Sequence, residues 1–565
     1  MPPPNEEPIL NLLRDLGLVT HQQIEEARAS RDGESSVIEA LVSQGLISAD
    51  DVSRAVAAEA GMSWIDLAGI VVAPDVIGEI RPQEARRFKM IPIARNERGL
   101  VVATGDPLDI YSIDSLGFLL RREIELVCTA PEKIHEALLK YYGSAEEAVD
   151  VLSRKVGDAA LAEIDITEGA ELPEGEAPII RLVSILLLEA HKLGASDIHL
   201  EPLEKSFRVR LRIDGVLHEI PSPPKKLQSA IISRLKIMTG SMSIAEKRLP
   251  QDGRIQVKMG RKPIDLRVST VPANHGESMV LRLLDKTSLL LGLPELGFLS
   301  DDQETFERLL RAPDGILLVT GPTGSGKTST LYACLHDINK PDRKIITVEE
   351  PVEYQMNGIN QVQVNAEIGM TFPAALRSIL RQAPNVIMIG EIRDLETASI
   401  ATHASLTGHL VFSTLHTNDA PSAVARLIDL GVQPFLVANS LRAIVAQRLV
   451  RRLCLHCKEP GDLSASELRA LRIEASQLSE ASVMRPVGCE QCWRTGYKGR
   501  MGVFEIFEID DEVRHMVNAR VPTAPLRQCA RQLGMRTLRE DGLRKVFAGL
   551  TSAEEVISIT IGDAN

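Results

Sequence analysis

An apolar strand that runs into a glycine-rich loop, and leaves it through Lys-Thr into a helix, can settle into very few folds. Here Gly315-Ile-Leu-Leu-Val-Thr320 reads as a short buried strand. It leads straight into Gly321, Pro322, Thr323, Gly324, Ser325, Gly326, Lys327, Thr328 and Ser329, and the run to Leu335 has a helical pattern. Strand, loop and helix in this order are what a phosphate-binding loop requires. The glycines let backbone N–H groups converge on phosphate oxygens, and the new helix points its positive end at them. Lys327 is expected to meet the β- and γ-phosphates of ATP, and the Thr328 hydroxyl to ligate Mg²⁺.

Two more buried strands end in carboxylates. Asn385-Val-Ile-Met-Ile-Gly-Glu391 places Glu391 where a Walker B acid would hold Mg²⁺ or its waters. Lys344-Ile-Ile-Thr-Val348 runs into Glu349-Glu350-Pro-Val-Glu353, and Glu349 is expected to orient the attacking water. Either carboxylate alone reads as a charged turn after a strand; beside the loop they read as a hydrolytic site.

The 565 residues suggest several domains. Residues 1–142 form a helix-rich front module. Within it, Ile9–Thr20 echoes Val37–Ser48: each copy has an apolar helical stripe, a glycine stop (Gly17, Gly45) and a Thr or Ser cap. Two copies are too few for a solenoid, so two similar helix pairs are expected. Strand-like Gly99–Ala103 and Ile124–Cys128 make the end of this module α/β. Residues 143–175 are acidic, with Gly and Pro, and read as a flexible linker.

Residues 176–290 open with a helix and continue as alternating strands, among them Phe207–Ile213 before an Asp214-Gly215 turn. The expectation is an α+β module with a mostly antiparallel sheet and arginines along one face. The nucleotide core is placed at 291–450, a cysteine module at 451–500 and a C-terminal helical subdomain at 501–565.

These strings resemble those of the secretion-superfamily traffic ATPases, above all the members that power type II secretion and type IV pilus assembly. The likeness covers the chain from about 177 onward and, more loosely, the front. It rests on the phosphate loop, Thr347–Glu353 (an "Asp box", with Glu350 where the family usually has Asp), Ile387–Asp394 (Walker B) and Leu406–Asn418 (a "His box"). Ala195–Pro202 and Arg208–Gly215 match as well. The resemblance implies a multidomain α/β protein with a RecA-like ATPase core and a PAS-like α+β second domain, assembled as a homohexamer.

The resemblance also implies roles for His409 and His416, for Arg377, Arg381 and Arg393 of the core, and for Arg210 as a second-domain arginine that approaches the nucleotide. A second such arginine is replaced by Lys225, which keeps the charge and loses the bidentate fork. The family's Arg-Gln-Asp-Pro-Asp reads Arg381-Gln-Ala-Pro-Asn385 here. Those two missing carboxylates fall at the start of the strand, away from the phosphate side, so a structural or interface effect is expected.

Cys454-Leu-His-Cys457 and Cys489-Glu-Gln-Cys492 are two knuckles that together make a tetrahedral Cys₄ site for structural Zn²⁺. The spacer between them is expected to hold a helix over about 465–478. Retraction motors of the family generally lack this module and the long front domain, which points to secretion or assembly. Cys128, Cys334 and Cys529 read as small core residues.

No apolar run approaches the ~18 residues of a membrane span. The Met1-Pro-Pro-Pro start lacks the basic and apolar regions of a secretory signal. A chain without a span of its own is expected to be cytoplasmic, and the resemblance implies that a platform protein and an anchor with a cytoplasmic domain hold it at the inner membrane. A nucleic-acid motor is disfavoured by a net charge of −13 and 3% aromatic residues. A dinucleotide sensor is disfavoured too. Related front domains bind cyclic di-GMP through Arg-Leu-Gly repeats, and the echo here reads Asp15-Leu-Gly17 and Ser43-Gln-Gly45.

Overall fold

The computed structural model describes residues 6–30, 36–67, 70, 72–96, 99–107, 109–120, 122–142, 164–165, 177–259, 262–284, 292–474, 478 and 481–561. The chain divides into two units, Met1–Leu284 and Asp285–Asn565.

In the first unit, the front module begins with helices Glu6–Asp15, His21–Ser30, Val37–Ser43 and Ala49–Glu59. They are the two expected pairs. Gly17 and Gly45 stop the first helix of each pair at φ 71° and 72°, a left-handed turn that glycine makes without strain. The next helices are capped as anticipated: the Gln23 N–H donates to the Thr20 hydroxyl and the Asp51 N–H to the Ser48 hydroxyl. Leu10, Leu13, Leu41 and Ala55 close a small apolar core between the pairs. Strands β1 (Ser63–Trp64), β2 (Met90–Arg95), β3 (Leu100–Thr104) and β4 (Ile124–Cys128) then form a sheet of order β1-β4-β3-β2. The acidic linker expected at 143–175 lies outside the described residues except β5 (Ile164–Asp165), which pairs antiparallel with the strand Gln251–Met259 of the next module.

The second module opens with helix Ala177–Lys192. It continues as β6 (Ala195–Pro202), β7 (Phe207–Ile213), β8 (Val216–Ile220), helix Gln228–Thr239, β9 (Gln251–Met259), β10 (Lys262–Ala273) and β11 (Gly276–Leu284). Its sheet runs β5-β9-β10-β11-β6-β7-β8, and every pairing is antiparallel. Period two decides its faces. Phe207, Val209 and Leu211 are buried against the two helices, while Arg208, Arg210 and Arg212 line the opposite face half-buried. Asp214 and Gly215 both have positive φ, at 49° and 91°, as a tight hairpin turn between right-twisted strands demands.

The second unit is built on β12 (Gly315–Thr320), β13 (Ile345–Glu349), β14 (Asn360–Gln363), β15 (Val386–Ile389), β16 (Leu410–Leu415), β17 (Leu441–Leu453), the short pair β18 (Glu459–Pro460) and β19 (Met484–Arg485), and β20 (Tyr497–Glu508). The main sheet has the order β14-β13-β15-β16-β12-β17-β20. Its pairings are parallel up to β17; β17 and β20 are antiparallel. All six residues of β12 are buried, Ile316 and Leu318 in one core and Leu317 and Val319 in the other, because helices cover both faces.

The boundary expected at 450 falls inside β17 and the one at 500 inside β20. The cysteine module is thus an insertion between two paired strands of the main sheet. Its helix is shorter than expected, Ala465–Leu471, and ends where Arg472 turns left-handed at φ 58°. The C-terminal region also divides. Helices Asp511–Asn518 and Thr523–Gln532 contribute Val513, Val517 and Leu526 to the main core. Helices Leu538–Phe547 and Ala553–Ile559 pack Leu538, Val546 and Val556 with Val450, Leu471 and Met501.

Candidate nucleotide site and cysteine centre

The phosphate loop leaves the C-terminal end of β12, and the helix Lys327–Ile338 begins directly after it. Gly321, Gly324 and Gly326 all have positive φ, and two of them are hemmed in. A Cβ on Gly321 would stand 2.5 Å from the Gln447 carbonyl and 2.6 Å from Ser325 Oγ; one on Gly326 would stand 2.8 Å from Gln447 Nε2. Gly324 faces open space, with nothing within 4 Å of its added Cβ. The loop is therefore braced from behind and free in front, the shape that lets backbone N–H groups take phosphate. Pro322, Thr323 and Thr328 are exposed on the open side, Ser329 is half-buried, and Ser325 faces inward.

Lys327 is buried, and its ammonium donates to the carbonyls of Gly321 at 2.9 Å and Pro322 at 3.0 Å. Burial, with the Arg448 charge adding to it, holds this ammonium below the usual lysine range, while Glu391 pulls it up. Glu391 is thus the carboxylate the lysine feels. It lies just past β15, pairs with Arg393, and stands 3.4 Å from His416 Nε2. The Thr414 hydroxyl fixes this corner by donating to the Gly390 carbonyl at 2.7 Å. Thr320 at the mouth of β12 shares a hydroxyl–hydroxyl bond of 2.7 Å with Thr417. Glu391, Arg393 and His416 are brought together, and the Glu391 charge reaches Lys327 of the loop.

Glu349 ends β13 and is almost fully buried. Both of its oxygens are held: Oε2 by the Tyr332 hydroxyl, Oε1 by the Thr347 hydroxyl at 2.5 Å and by Gln361 Nε2 at 3.2 Å. Burial next to this carboxylate pushes the Tyr332 hydroxyl well above its ordinary pKa.

Two expected residues, His409 and Arg381, are not at the loop. His409 precedes β16, whose start is level with Gly315 at the foot of β12. It therefore lies a full strand, about 20 Å, from the loop, with Nδ1 against the Ala404 carbonyl at 2.9 Å. The expectation of a nucleotide-site histidine is corrected there: the parallel register puts the two histidines of the His box at opposite ends of one strand. Arg381 occupies the turn before β15, at the same far edge, 3.3 Å from Ser378 Oγ. Arg377 is exposed and pairs with Glu396. The departures Ala383 and Asn385 also lie at this edge. Ala383 is left-handed at φ 48°, and the Asn385 side chain accepts from the Lys344 N–H at 2.8 Å.

In the second module, Glu201 pairs with Arg210 and also accepts from Arg208 Nε at 2.7 Å. The ammonium of Lys225 is engaged by the carbonyls of Leu203, at 2.9 Å, and Glu204.

Residues the sequence reading missed complete the loop's support. Gln447 on β17 braces two glycines and accepts from the Thr330 hydroxyl at 2.7 Å. Arg448 beside it donates to the Asn418 carbonyl at 3.1 Å. A polar pair inside the apolar run Ala443–Val450 was the available signal. Tyr332 and Gln361 carried none, since a buried tyrosine in a helix reads as core.

The four knuckle cysteines converge. Their sulfurs all lie within 4.8 Å of one another, with separations of 3.9 Å for Cys454–Cys489, 3.6 Å for Cys457–Cys492 and 3.7 Å for Cys489–Cys492. A tetrahedral zinc with bonds near 2.3 Å sets its sulfurs about 3.8 Å apart, so the donor set fits that ion. Backbone N–H groups of Gly488, Cys489 and Gly496 donate to the sulfurs of Cys457 and Cys492, supplying the outer hydrogen bonds thiolates need. His456 is not part of the cluster. Cys128, Cys334 and Cys529 are buried and separate, and burial raises the Cys128 thiol to about 11.

Comparison with known proteins agrees with this arrangement. A family model described as "Type II/IV secretion system protein" matches residues 173–558, and one described as "MshEN domain" matches 60–148. The type IV pilus assembly ATPase of Myxococcus xanthus is 44% identical over 97% of this chain and 97% of its own. The type II secretion system protein E of Aeromonas hydrophila is 47% identical over 87% of this chain and 98% of its own. Among solved structures, the DotB ATPase of Yersinia pseudotuberculosis superposes with a TM-score of 0.51 at 19% identity, covering 70% of this chain and 96% of its own. At that identity it shows the fold alone.

Proposed function

Because the chain belongs to the Type II/IV secretion system protein family, we propose that it hydrolyses ATP to drive type II protein secretion through pseudopilus assembly. The observation that carries this reading is the braced loop with Lys327 buried in it, its ammonium held by the Gly321 and Pro322 carbonyls. Gly324 to Thr328 would cradle the triphosphate and Lys327 would face its outer phosphates. The Thr328 hydroxyl would ligate Mg²⁺, with Glu391 holding the ion or its waters. Glu349 would orient the attacking water. Arg393 and His416 would steady Glu391. Arg210 would reach the nucleotide as the second module closes on it. Arg377, paired with Glu396 on the helix that follows Glu391, would serve as a further functional arginine of the core, and we leave Arg381 and His409 outside the hydrolytic set.

The chain would work as a homohexamer on the cytoplasmic face of the inner membrane, held there by platform and anchor proteins. No helix among the described residues is long and apolar enough to cross a membrane. Zn²⁺ on Cys454, Cys457, Cys489 and Cys492 would staple the insertion between β17 and β20. Replacing Lys327 with Ala is expected to abolish turnover while the melting profile stays that of the parent. Full residual activity in that variant would overturn the site.

Assembly of type IV pili is the second reading, favoured by the Myxococcus relative, which aligns over nearly the whole chain. A strain deleted for the chain decides between them: loss of exported proteins with pili intact supports secretion, and the reverse supports pili.

A further inference from the structure

The buried carboxylate at the end of β13 is anchored by the same helix that begins with Lys327. Tyr332 lies on the helix Lys327–Ile338, just over one turn beyond Lys327, and its side chain is fully buried. Its hydroxyl donates to Glu349 Oε2 and accepts the Glu353 N–H at 3.3 Å. Its ring is fixed against Tyr354, 4.5 Å between centroids and near edge-on at 69°. The tyrosine is therefore held at both ends, and packing alone would be met by Phe.

The three donors around Glu349 do different things. Thr347 and Gln361 both hold Oε1, and among the described residues only Tyr332 holds Oε2. The last torsion of a glutamate is soft and roughly two-fold, so a carboxylate gripped at one oxygen still pivots about it. A second grip on the other oxygen stops the pivot.

We infer that Tyr332 is a positioning residue for Glu349: its hydroxyl fixes the plane of the carboxylate, and so the direction in which Glu349 presents itself to attacking water. This rests on reading Glu349 as the water-orienting group. Because Tyr332 shares a helix with Lys327, whatever phosphate does to the start of that helix is felt at the carboxylate through this bond.

The test is a double-mutant cycle on the full chain, with Mg²⁺·ATP as substrate. Tyr332→Phe is expected to lower kcat about tenfold, the scale of one lost hydrogen bond to a charged group, with KM for ATP unchanged. In a Glu349→Gln background the same substitution is expected to change the residual rate less than twofold. An unchanged kcat in Tyr332→Phe overturns the inference. So does an equal loss in both backgrounds, or a Phe variant that no longer folds, since each marks a merely structural tyrosine. A Glu349→Gln variant that turns over at the parental rate instead refutes the role given to Glu349 itself.

Discussion

Ala383 stands in a left-handed conformation that a residue with a Cβ adopts at a cost of roughly 1 kcal/mol. Glycine is free of that strain, and because Ala383 is exposed no packing is lost; only glycine's greater freedom in the unfolded chain opposes the gain. Ala383→Gly is expected to raise stability by about 0.5–1 kcal/mol in urea unfolding and to leave ATP turnover alone, since the turn lies at the far edge of the sheet. Gly326 is the opposite case. Its φ of 89° and the 2.8 Å approach of Gln447 mean that Gly326→Ala must distort the loop. Loss of ATP-analogue binding by calorimetry is the expected outcome. Lys545 gives a third case. Its ammonium and the Asp541 carboxylate are both buried, with Lys545 donating to the Gly502 carbonyl at 2.7 Å and Asp541 accepting from the Phe504 N–H at 2.8 Å. Burial works to neutralise each of them. Lys545→Met strands the carboxylate and is expected to cost about 3–5 kcal/mol by thermal denaturation, a loss that adding Asp541→Leu should largely recover.

At the scale of elements, much of this architecture could be read before any coordinates. The strand–loop–helix order around Lys327 needed no tertiary information, because the backbone geometry of phosphate binding dictates residue type position by position. The alternation in Phe207–Ile213 fixed which face is buried, and the two C-x₂-C pairs announced their cluster. What escaped the reading was register and insertion. Nothing local in Leu406–Asn418 says that one histidine sits at the top of a parallel strand and the other at its foot. Nor does the composition near 450 and 500 reveal that β17 and β20 continue through those points, since strand pairing is a long-range fact. Buried donors such as Tyr332 escaped for a related reason: their polar atoms become visible only when the carboxylate they serve arrives from elsewhere in the chain. The cysteine insertion itself is small, and its knuckles hang on sulfur contacts. Stripping it with a zinc chelator is expected to remove a discrete low-temperature step from the melting curve, and Cys489→Ser to remove the same step without chelator.

For the molecule as a whole, acid should act on both units. In the first, burial works to raise Glu201, but Arg210 and Arg208 outweigh it and hold the carboxyl below its ordinary value. In the second, burial likewise opposes Arg544 and Arg536 at Asp301, and the arginines win. A carboxylate depressed in the folded state binds fewer protons there than in the unfolded chain. Its contribution is complete above the unfolded value near 4 and fades as pH falls through the folded one. Urea midpoints are expected to hold from pH 7 to 5 and to drop steeply below pH 4, with Glu201→Gln flattening the acid limb.

One further consequence belongs to β17. The strand that carries Gln447 against the back of the loop runs on, through an irregularity near Arg451, to Leu453, and the next residue is the first cysteine of the four-sulfur cluster. Seven residues of extended chain, about 23 Å, join the staple to the cradle like a tie-rod. Under the proposed function, a pull on the sulfur cluster would travel along this strand to the nucleotide loop.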